Sequence, residues 1–392
     1  MSLLSLFTSS SEPPLTRGRA VLLGLCTLAG LAAIDAVVNL AFAYPDDPKV
    51  TQVDQVTAYF EYGRSIEGKL ARITRVDPAE TAPITLAGWY QPLTSRMIGG
   101  EKAGPVVTFY GMSHSVRLAE ALARTTNRYE SRSVGAPGAT VNWSYGAFQR
   151  DKQPSGGKVA VLSLMTANAP MVTTMTAMTW NSAFPMPYTA DRYRLQRSEL
   201  RAVPLPFESF PAYVAAFKDP QRWAVAREAF KANDAYYNEV MFRASVLDRS
   251  ASFRLIRRAY GLHLERTGRA RVMDQKQFRP GTEEVALLNA IVRSFAHRAR
   301  SKGVVPVVYI VNNYGYSTML YDALADTLAN CGIPYLSSHT VVSPSDPRGY
   351  LPDSHFTDSN DDRMARALES VIDRELSAPT RQTSACPGRP AV

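Results

Sequence analysis

The feature that most constrains the fold is the stretch of residues 104–118, GPVVTFYGMSHSVRL. Its first part, residues 105–110, is rich in β-branched and aromatic side chains and predicts a buried strand, which Gly111 ends. A helical pattern follows at once, so Ser113 stands at a strand–helix junction. Parallel sheets bind ligands at the carboxyl ends of their strands, and a helix N-terminus favours negative charge. Ser113 is therefore placed like a nucleophile, whereas helix capping by Ser113 or Ser115 is the ordinary alternative.

A second constraint is the apolar segment of residues 19–43. A helix of ~20 largely apolar residues is long enough to cross a bilayer. Arg17 and Arg19 precede the run and favour a cytoplasmic N-terminus. We therefore expect residues 1–18 in the cytoplasm, an uncleaved transmembrane anchor over 19–43, and an extracytoplasmic remainder, in a periplasm where the source has two membranes.

Two alternatives for the apolar segment remain open. A signal peptide cleaved after Ala43 would have a similar composition, although this run is long for one. A buried helix of a soluble protein is the other alternative, because Asp35 and Asn39 are costly inside a bilayer.

Beyond the anchor, strand and helix patterns alternate, which predicts an α/β domain with a parallel sheet and right-handed crossovers. The expected strands are residues 105–110, 128–134, 158–165, 304–311 and 334–338. The expected helices are residues 57–74, 283–302, 319–330 and 359–376, with a largely helical region at 207–262. A strand is also expected at 84–90 and an irregular connection at 183–206.

These patterns divide the chain into segments. After the anchor we expect a membrane-proximal segment (44–103), the first part of the α/β domain (104–190), a basic, mostly helical insertion (191–280), the second part of the domain (281–376) and a disordered tail (377–392). The insertion is rich in arginine and tyrosine. It is interpreted either as the lining of a groove for an anionic polymer or as a solvated cationic face near an anionic membrane.

Composition excludes several classes of function. The chain has 392 residues and a formal net charge of +9, which is moderate for this length. It contains no recognised nucleic-acid-binding motif and no phosphate-cradling or dinucleotide-binding glycine pattern. Its three cysteines show no metal-ligand spacing, and pairing of Cys331 with Cys386 in an oxidising compartment stays open.

A nucleophilic serine needs a general base, usually a histidine, and the chain has only five. His355 is the strongest candidate, because it lies in the loop LPDSHFTD immediately before the last predicted helix. Asp353, two residues earlier, is close enough to accept the Nδ1–H of its ring. His339, near the end of the preceding strand, is the fallback base.

Acyl transfer also requires hydrogen-bond donors for an oxyanion. The backbone N–H of Ser113 is one candidate. Gly138, in the turn after the second strand, and Asn168, just past the third, are two more. Each has an ordinary explanation as well, Gly138 as a turn residue and Asn168 as a helix cap.

Together these residues resemble the catalytic blocks of the SGNH (GDSL-like) hydrolases, in particular their membrane-attached, exopolysaccharide-modifying branch. The matching blocks are YGMSHS with Ser113, GAPGAT with Gly138, SLMTANAP with Asn168, and PDSHFTD with Asp353 and His355. The resemblance implies a flavodoxin-like, three-layer parallel sheet. It also implies a catalytic Ser113, Asp353 and His355, an oxyanion hole formed by Ser113, Gly138 and Asn168, and no cofactor or metal.

The resemblance further implies an enzyme acting on acyl esters, as an esterase or an O-acyltransferase. An anchored enzyme of this kind would act on an acetylated cell-surface polysaccharide, at the inner or plasma membrane, beside polysaccharide biosynthesis or secretion proteins and without nucleic acid. Met112 stands where the family usually has aspartate. The alternative hypothesis is therefore a non-catalytic anchored subunit that binds polysaccharide or assembles a secretion complex.

Overall fold

The computed structural model describes residues 16–50, 53–77, 81–100, 103–152, 157–183, 186–197 and 199–377. Most of the expected cytoplasmic segment and nearly all of the expected tail lie outside these residues. So does Cys386, and with it the question of its pairing with Cys331, which the sequence leaves open.

The chain forms fourteen α-helices and eight strands within the described residues. The helices are α1 (Arg17–Ala41), α2 (Gln55–Tyr62), α3 (Ile66–Ile73), α4 (Pro83–Leu86), α5 (Ser113–Thr125), α6 (Val141–Arg150), α7 (Ala177–Trp180), α8 (Phe210–Phe217), α9 (Pro220–Asn233), α10 (Glu239–Phe242), α11 (Ala251–Val272), α12 (Glu283–Ser301), α13 (Met319–Asn330) and α14 (Asp358–Ser377). The strands are β1 (Arg96–Ile98), β2 (Val106–Gly111), β3 (Glu130–Gly135), β4 (Gly157–Met165), β5 (Arg192–Gln196), β6 (Glu199–Val203), β7 (Val305–Val311) and β8 (Tyr335–Ser337).

Six strands form one mixed sheet in the order β1-β3-β2-β4-β7-β8. Strands β3, β2, β4, β7 and β8 are parallel, and only the edge strand β1 runs antiparallel, to β3. The expectation of a purely parallel sheet is therefore wrong at this edge. Numbered along the chain, the five parallel strands have the order 2-1-3-4-5, one of the common doubly wound orders. The order reverses beside β2, where such sheets open a crevice at the strand ends.

Helices cover both faces of this sheet, because alternate residues of each strand point to opposite sides. On one face, Val107 and Phe109 of β2 lie in a core with α5 and α14. On the other face, Tyr110 of β2 packs in a core with α6, α12 and α13. The central strands are covered on both sides, so their sequences are almost entirely apolar.

Three local expectations are wrong. Residues 57–74 form two helices because the chain turns between Gly63 and Ser65, and Ser65 caps α3 by accepting from the Gly68 N–H at 2.9 Å. Residues 84–90 are not a strand, because Pro83 begins the short helix α4. The region expected to be irregular, residues 183–206, contains the antiparallel pair β5–β6.

Helix α1 is long and apolar enough to be a membrane anchor or a signal sequence. Its 25 residues extend about 38 Å, more than the hydrocarbon core of a bilayer requires. The two polar residues near its end contact the start of α11. The Asp35 carboxylate accepts from the Ser252 N–H at 2.7 Å, and Arg254 donates to the Asn39 side-chain oxygen at 2.6 Å.

Candidate active site

Ser113 lies at the point where β2 passes into α5. A Cβ atom at Gly111 would lie 2.7 Å from that of Ser163 and 2.8 Å from that of Ser115, so only glycine lets β2, β4 and α5 approach this closely. The N-cap of α5 is Met112, and it makes no side-chain capping bond. Ser115 is buried and accepts a hydrogen bond from Ser163 at 2.9 Å. The capping alternative is therefore wrong, and Ser113 is the first residue of the helix, half-buried at the edge of the sheet.

The Ser113 hydroxyl is hydrogen-bonded to His355, 242 residues away in the sequence. The distance between Ser113 Oγ and His355 Nε2 is 2.6 Å. On the other side of the ring, His355 Nδ1 lies 2.9 Å from Asp353 Oδ2. This network assigns the ring proton to Nδ1, so that Nε2 accepts from the serine hydroxyl. The three side chains are therefore hydrogen-bonded in series, from the serine hydroxyl through the imidazole to the carboxylate.

The electrostatics of Asp353 suit this arrangement. Partial burial opposes its ionisation, but the His355 ring and backbone N–H both donate to the carboxylate, and the net pKa of Asp353 is lowered from its usual value. The carboxylate therefore stays ionised near neutral pH. An ionised carboxylate holds the imidazole in one tautomer and stabilises the imidazolium that forms when it accepts a proton.

A tight turn brings Asp353 and His355 together. Leu351 N–H donates to the His355 carbonyl at 2.7 Å, and Ser354 N–H donates to the Leu351 carbonyl at 2.9 Å. Ser354 has φ +69°, in the left-handed region that non-glycine residues seldom occupy. Because of this tight turn, the Asp353 carboxylate reaches the His355 ring with only one residue between them.

His114, next to the candidate nucleophile, contacts this turn. Its ring stacks on His355 with 4.6 Å between centroids and 27° between planes. Its Nε2 lies 3.2 Å from the Ser354 carbonyl, to which it donates as the Nε2–H tautomer. Burial, and secondarily the charge of His355, lower the pKa of His114 to about 4, so the ring is neutral at physiological pH. No local pattern in the sequence predicts this contact.

Arg117, one helical turn after Ser113, ties α5 to the residues that follow the base. Its Nη2 donates to the Phe356 carbonyl at 3.0 Å and to Asp358 at 2.8 Å, and its Nε donates to Asp361 at 2.8 Å. Burial raises the pKa of Asp361 to about 6 even though Arg117 lowers it. Sequence reasoning missed Arg117, although its i+4 spacing from Ser113 places it over the same helix end.

The other two candidate oxyanion residues follow the strands on either side of β2. Gly138 has φ +62° in the turn after β3, a conformation that favours glycine. This turn is held beside the end of β2, because Ala136 N–H donates to the Gly111 carbonyl at 3.1 Å. Gly138 is thus at the same edge of the sheet as Ser113, but no hydrogen bond joins them in the described part of the chain.

Asn168 lies in the 3-10 helix Thr166–Thr173, directly after β4. Its side chain is 4% exposed, and its Nδ2 has no hydrogen-bond acceptor among the described residues. A buried amide donor without a partner costs stability, so it marks a position where a ligand acceptor would be bound favourably. Asn313, after β7, holds this segment by accepting from the Ala167 N–H at 3.1 Å.

The fallback base does not reach Ser113. His339 Nδ1 lies 2.7 Å from the buried Ser337 hydroxyl, and its ring packs against Tyr321. No group of three or more His, Cys, Asp or Glu side chains that could hold a metal ion occurs in the described ranges.

Comparison of the chain with protein-family models, with curated proteins and with solved structures found no match. The structure is that of an α/β protein with a mostly parallel sheet and one N-terminal apolar helix. A serine, a histidine and an aspartate are hydrogen-bonded in series at the edge of its sheet.

Proposed function

We propose that this protein is a serine enzyme of the SGNH type that acts on acyl esters, most simply acetyl esters, of a cell-surface polysaccharide. The observation that carries the proposal is the series of hydrogen bonds from Ser113 Oγ to His355 Nε2 at 2.6 Å and from His355 Nδ1 to Asp353 at 2.9 Å. The doubly wound strand order supports the family assignment, since it is the order expected for a flavodoxin-like sheet.

In the proposed reaction, Ser113 Oγ attacks the ester carbonyl while His355 Nε2 takes the hydroxyl proton. The resulting oxyanion is held by the N–H of Ser113, which lies at a helix N-terminus, with Gly138 N–H and the unpartnered Asn168 amide as further donors. His355 then protonates the departing sugar oxygen, which leaves an acyl-serine. Asp353 keeps its negative charge throughout and orients the ring.

The acyl-serine has two fates that use the same residues. Attack by water, deprotonated by His355, releases a carboxylic acid and makes the protein an esterase. Attack by a sugar hydroxyl transfers the acyl group and makes it an O-acyltransferase. Product analysis with and without an acceptor sugar separates the two.

Location forms part of the proposal. Helix α1 would anchor the chain in the inner or plasma membrane, with Arg17 at its cytoplasmic end and the α/β domain outside. An anchored domain on that side would meet nascent or exported polysaccharide. No metal or organic cofactor takes part in the proposed steps.

The test is hydrolysis of p-nitrophenyl acetate by the full chain in detergent, beside Ser113→Ala and a control, Ser370→Ala, which removes an exposed hydroxyl on α14. Wild type and Ser370→Ala should hydrolyse the ester equally, and Ser113→Ala should lose at least about 1,000-fold. Equal inertness of all three proteins, with retained polysaccharide binding, would favour the non-catalytic subunit instead.

A further inference from the structure

A cleft of about 340 Å³ lies between the insertion and the residues that follow α7, outside the Ser113 site. It is bounded by residues 179–183 around the end of α7, residues 235–241 around α10, and the stretch of α11 from Arg258 to Arg271. Its volume is within the range typical of small-molecule sites. Thirteen residues of helix correspond to roughly 20 Å, so the cleft is elongated along α11.

The cleft carries excess positive charge. The charged side chains that line it are Arg258, Glu265 and Arg271. Glu265 is already neutralised, because its Oε1 lies 2.9 Å from Arg269 Nη2. Neither Arg258 nor Arg271 has a carboxylate within ion-pair distance in the described part of the chain. Two guanidinium groups are therefore left to bind an anion.

Aromatic rings hold both guanidinium groups in place. Arg258 lies 3.9 Å above the Tyr59 ring and 4.8 Å above the Tyr62 ring, and Arg271 lies 5.3 Å above the Tyr236 ring. A guanidinium that lies over a ring can still donate from its outward-facing N–H groups. For Arg258 these are the Nη groups, because its Nε is buried, and Arg271 also interacts with the Tyr236 side chain. That fork of donors matches a carboxylate in a bidentate geometry.

The remaining lining suits a sugar more than a lipid. Tyr237 is half-buried and Leu262 is 40% exposed, which offers apolar surface to the C–H face of a sugar ring. The Asn181 oxygen accepts from the Ala183 N–H at 2.9 Å, which leaves its NH₂ group to donate to a hydroxyl. The contact of α11 with α1 is at Ser252 and Arg254, so the cleft begins beyond the anchor and leads away from it.

The cleft is connected to the edge of the sheet that carries Ser113. Arg269, which pairs with Glu265, donates to the Tyr316 hydroxyl in the loop between β7 and α13. Asn313 in the same loop binds the Ala167 N–H, next to Asn168. The wall of the cleft and the candidate oxyanion segment are thus attached to one loop.

Resting on the proposed function, we infer that this cleft binds carboxylate-bearing sugar residues of the polysaccharide whose esters reach Ser113. The substrate class is then an acidic, uronate-type glycan rather than a neutral one. Arg258 and Arg271 bind its carboxylates, and the tyrosine rings pack against its sugar faces.

The experiment is calorimetric titration of full-length Ser113→Ala in detergent with an oligogalacturonate and with a neutral cello-oligosaccharide of equal length. The acidic oligosaccharide should bind at least about tenfold more tightly, and more weakly as salt is raised. Adding Arg258→Gln and Arg271→Gln should cost about tenfold in its affinity. Arg258→Lys with Arg271→Lys should recover part of that loss, and the control pair Arg222→Gln with Arg366→Gln, at exposed positions elsewhere, should cost nothing.

Equal affinity for the two oligosaccharides, or no binding of either, would overturn the inference, and neither outcome depends on how the variants fold. The inference would also be overturned if Arg258→Gln and Arg271→Gln left the affinity for the acidic oligosaccharide unchanged. Because Ser113→Ala is used throughout, the result is independent of catalysis. If the ester assay fails but the acidic oligosaccharide still binds, the proposed enzymatic activity is wrong and the binding role of the cleft stands. If the ester is hydrolysed but the acidic oligosaccharide does not bind, only the binding role of the cleft is wrong.

Discussion

At the scale of single residues, the proposed reactivity of the Ser113 hydroxyl depends on His355, which accepts its hydrogen bond, and on Asp353, which orients His355. A serine hydroxyl alone is a weak nucleophile, and in the proposed reaction the Nε2 lone pair 2.6 Å away would be the acceptor that activates it. Asp353 is largely exposed, with 66% of its side chain accessible, yet it binds both the ring and the backbone N–H of His355. Its role is therefore to fix a tautomer rather than to add a buried charge.

Replacing Asp353 with asparagine tests this role. An asparagine amide can present NH₂ to Nδ1 and favour the tautomer whose Nε2 is protonated, which cannot accept from Ser113. We expect Asp353→Asn to lower kcat for p-nitrophenyl acetate at least about 100-fold with little change in KM. Asp346→Asn, an exposed aspartate outside the site, is the matched control. Activity of Asp353→Asn within threefold of wild type would contradict the assigned role.

A second prediction at this scale concerns the pH dependence of stability, because burial lowers the pKa of His114 to about 4. The unfolded chain binds a proton at this residue near pH 6.5, whereas the folded chain does not until about pH 4, so stability is lost as pH falls through this window. The shift corresponds to roughly 3 kcal/mol. His114→Phe keeps an aromatic ring against His355 but cannot be protonated.

The measurement is thermal unfolding of wild type and His114→Phe, in detergent, at pH 7 and pH 4.5. Between these values wild type should lose more stability than the variant does, because other titrating groups are common to both. Parallel losses in the two proteins would show that His114 does not resist protonation in the folded state.

At the scale of elements, the distance between Ser113 and His355 is set by the packing of α5 against α14. Arg117 spans this interface close to the site, and Arg124, two turns further along α5, donates to Asp362 at 2.7 Å. Asp361 is 2% exposed, so without Arg117 it would be a buried carboxylate with its main cationic partner removed.

We therefore expect Arg117→Ala to destabilise the fold by roughly 3 kcal/mol and to reduce kcat, since the Phe356 carbonyl beside the base loses its donor. Adding Asp361→Asn should recover part of the stability, because the unpaired charge is gone, without restoring kcat. Chemical denaturation and ester hydrolysis on the same samples measure both effects. Additive stability losses in the double variant would show that the two side chains are not coupled.

At the scale of the whole molecule, the insertion contacts helix α1, the proposed anchor. The arginines of the insertion are interpreted from the sequence as the lining of a groove or as a solvated face, but some are internal. Arg257 is buried and paired with Asp248, and Arg254 binds Asn39 of α1. The polar residues that are costly in a membrane helix therefore have partners in α11. With α1 as the proposed anchor, these contacts would hold the domain directly beside the bilayer rather than on a free linker.

The proposed orientation, which is based on Arg17 at the start of α1, can be tested in cells. In a background in which Cys26, Cys331 and Cys386 are replaced by serine, Ser370→Cys places the one thiol of the chain on an exposed position of α14. We expect a membrane-impermeant maleimide to label it in cells whose inner or plasma membrane is intact. Labelling only after that membrane is broken would place the α/β domain on the cytoplasmic side and contradict the proposed location.

The sequence predicted those parts of the fold that depend on local pattern. The apolar run before Gly111 and the spacing of Asp353 from His355 are visible in a few residues, and the parallel strands with their helices follow from such runs. Strands β1 and β5 escaped prediction because they are short, partly exposed and defined by their pairing. The contact of His114 with Ser354 spans 240 residues, and no local signal encodes it.

The most direct test of the central claim is to detect the acyl-serine itself. Wild type and His355→Ala are mixed with p-nitrophenyl acetate, quenched in acid within the first turnover, digested and analysed by mass spectrometry. The proposed mechanism predicts one acetyl group on the peptide containing Ser113 in wild type and essentially none in His355→Ala. Acetylation at another residue, or equal acetylation of Ser113 in both proteins, would contradict a Ser113 nucleophile activated by His355.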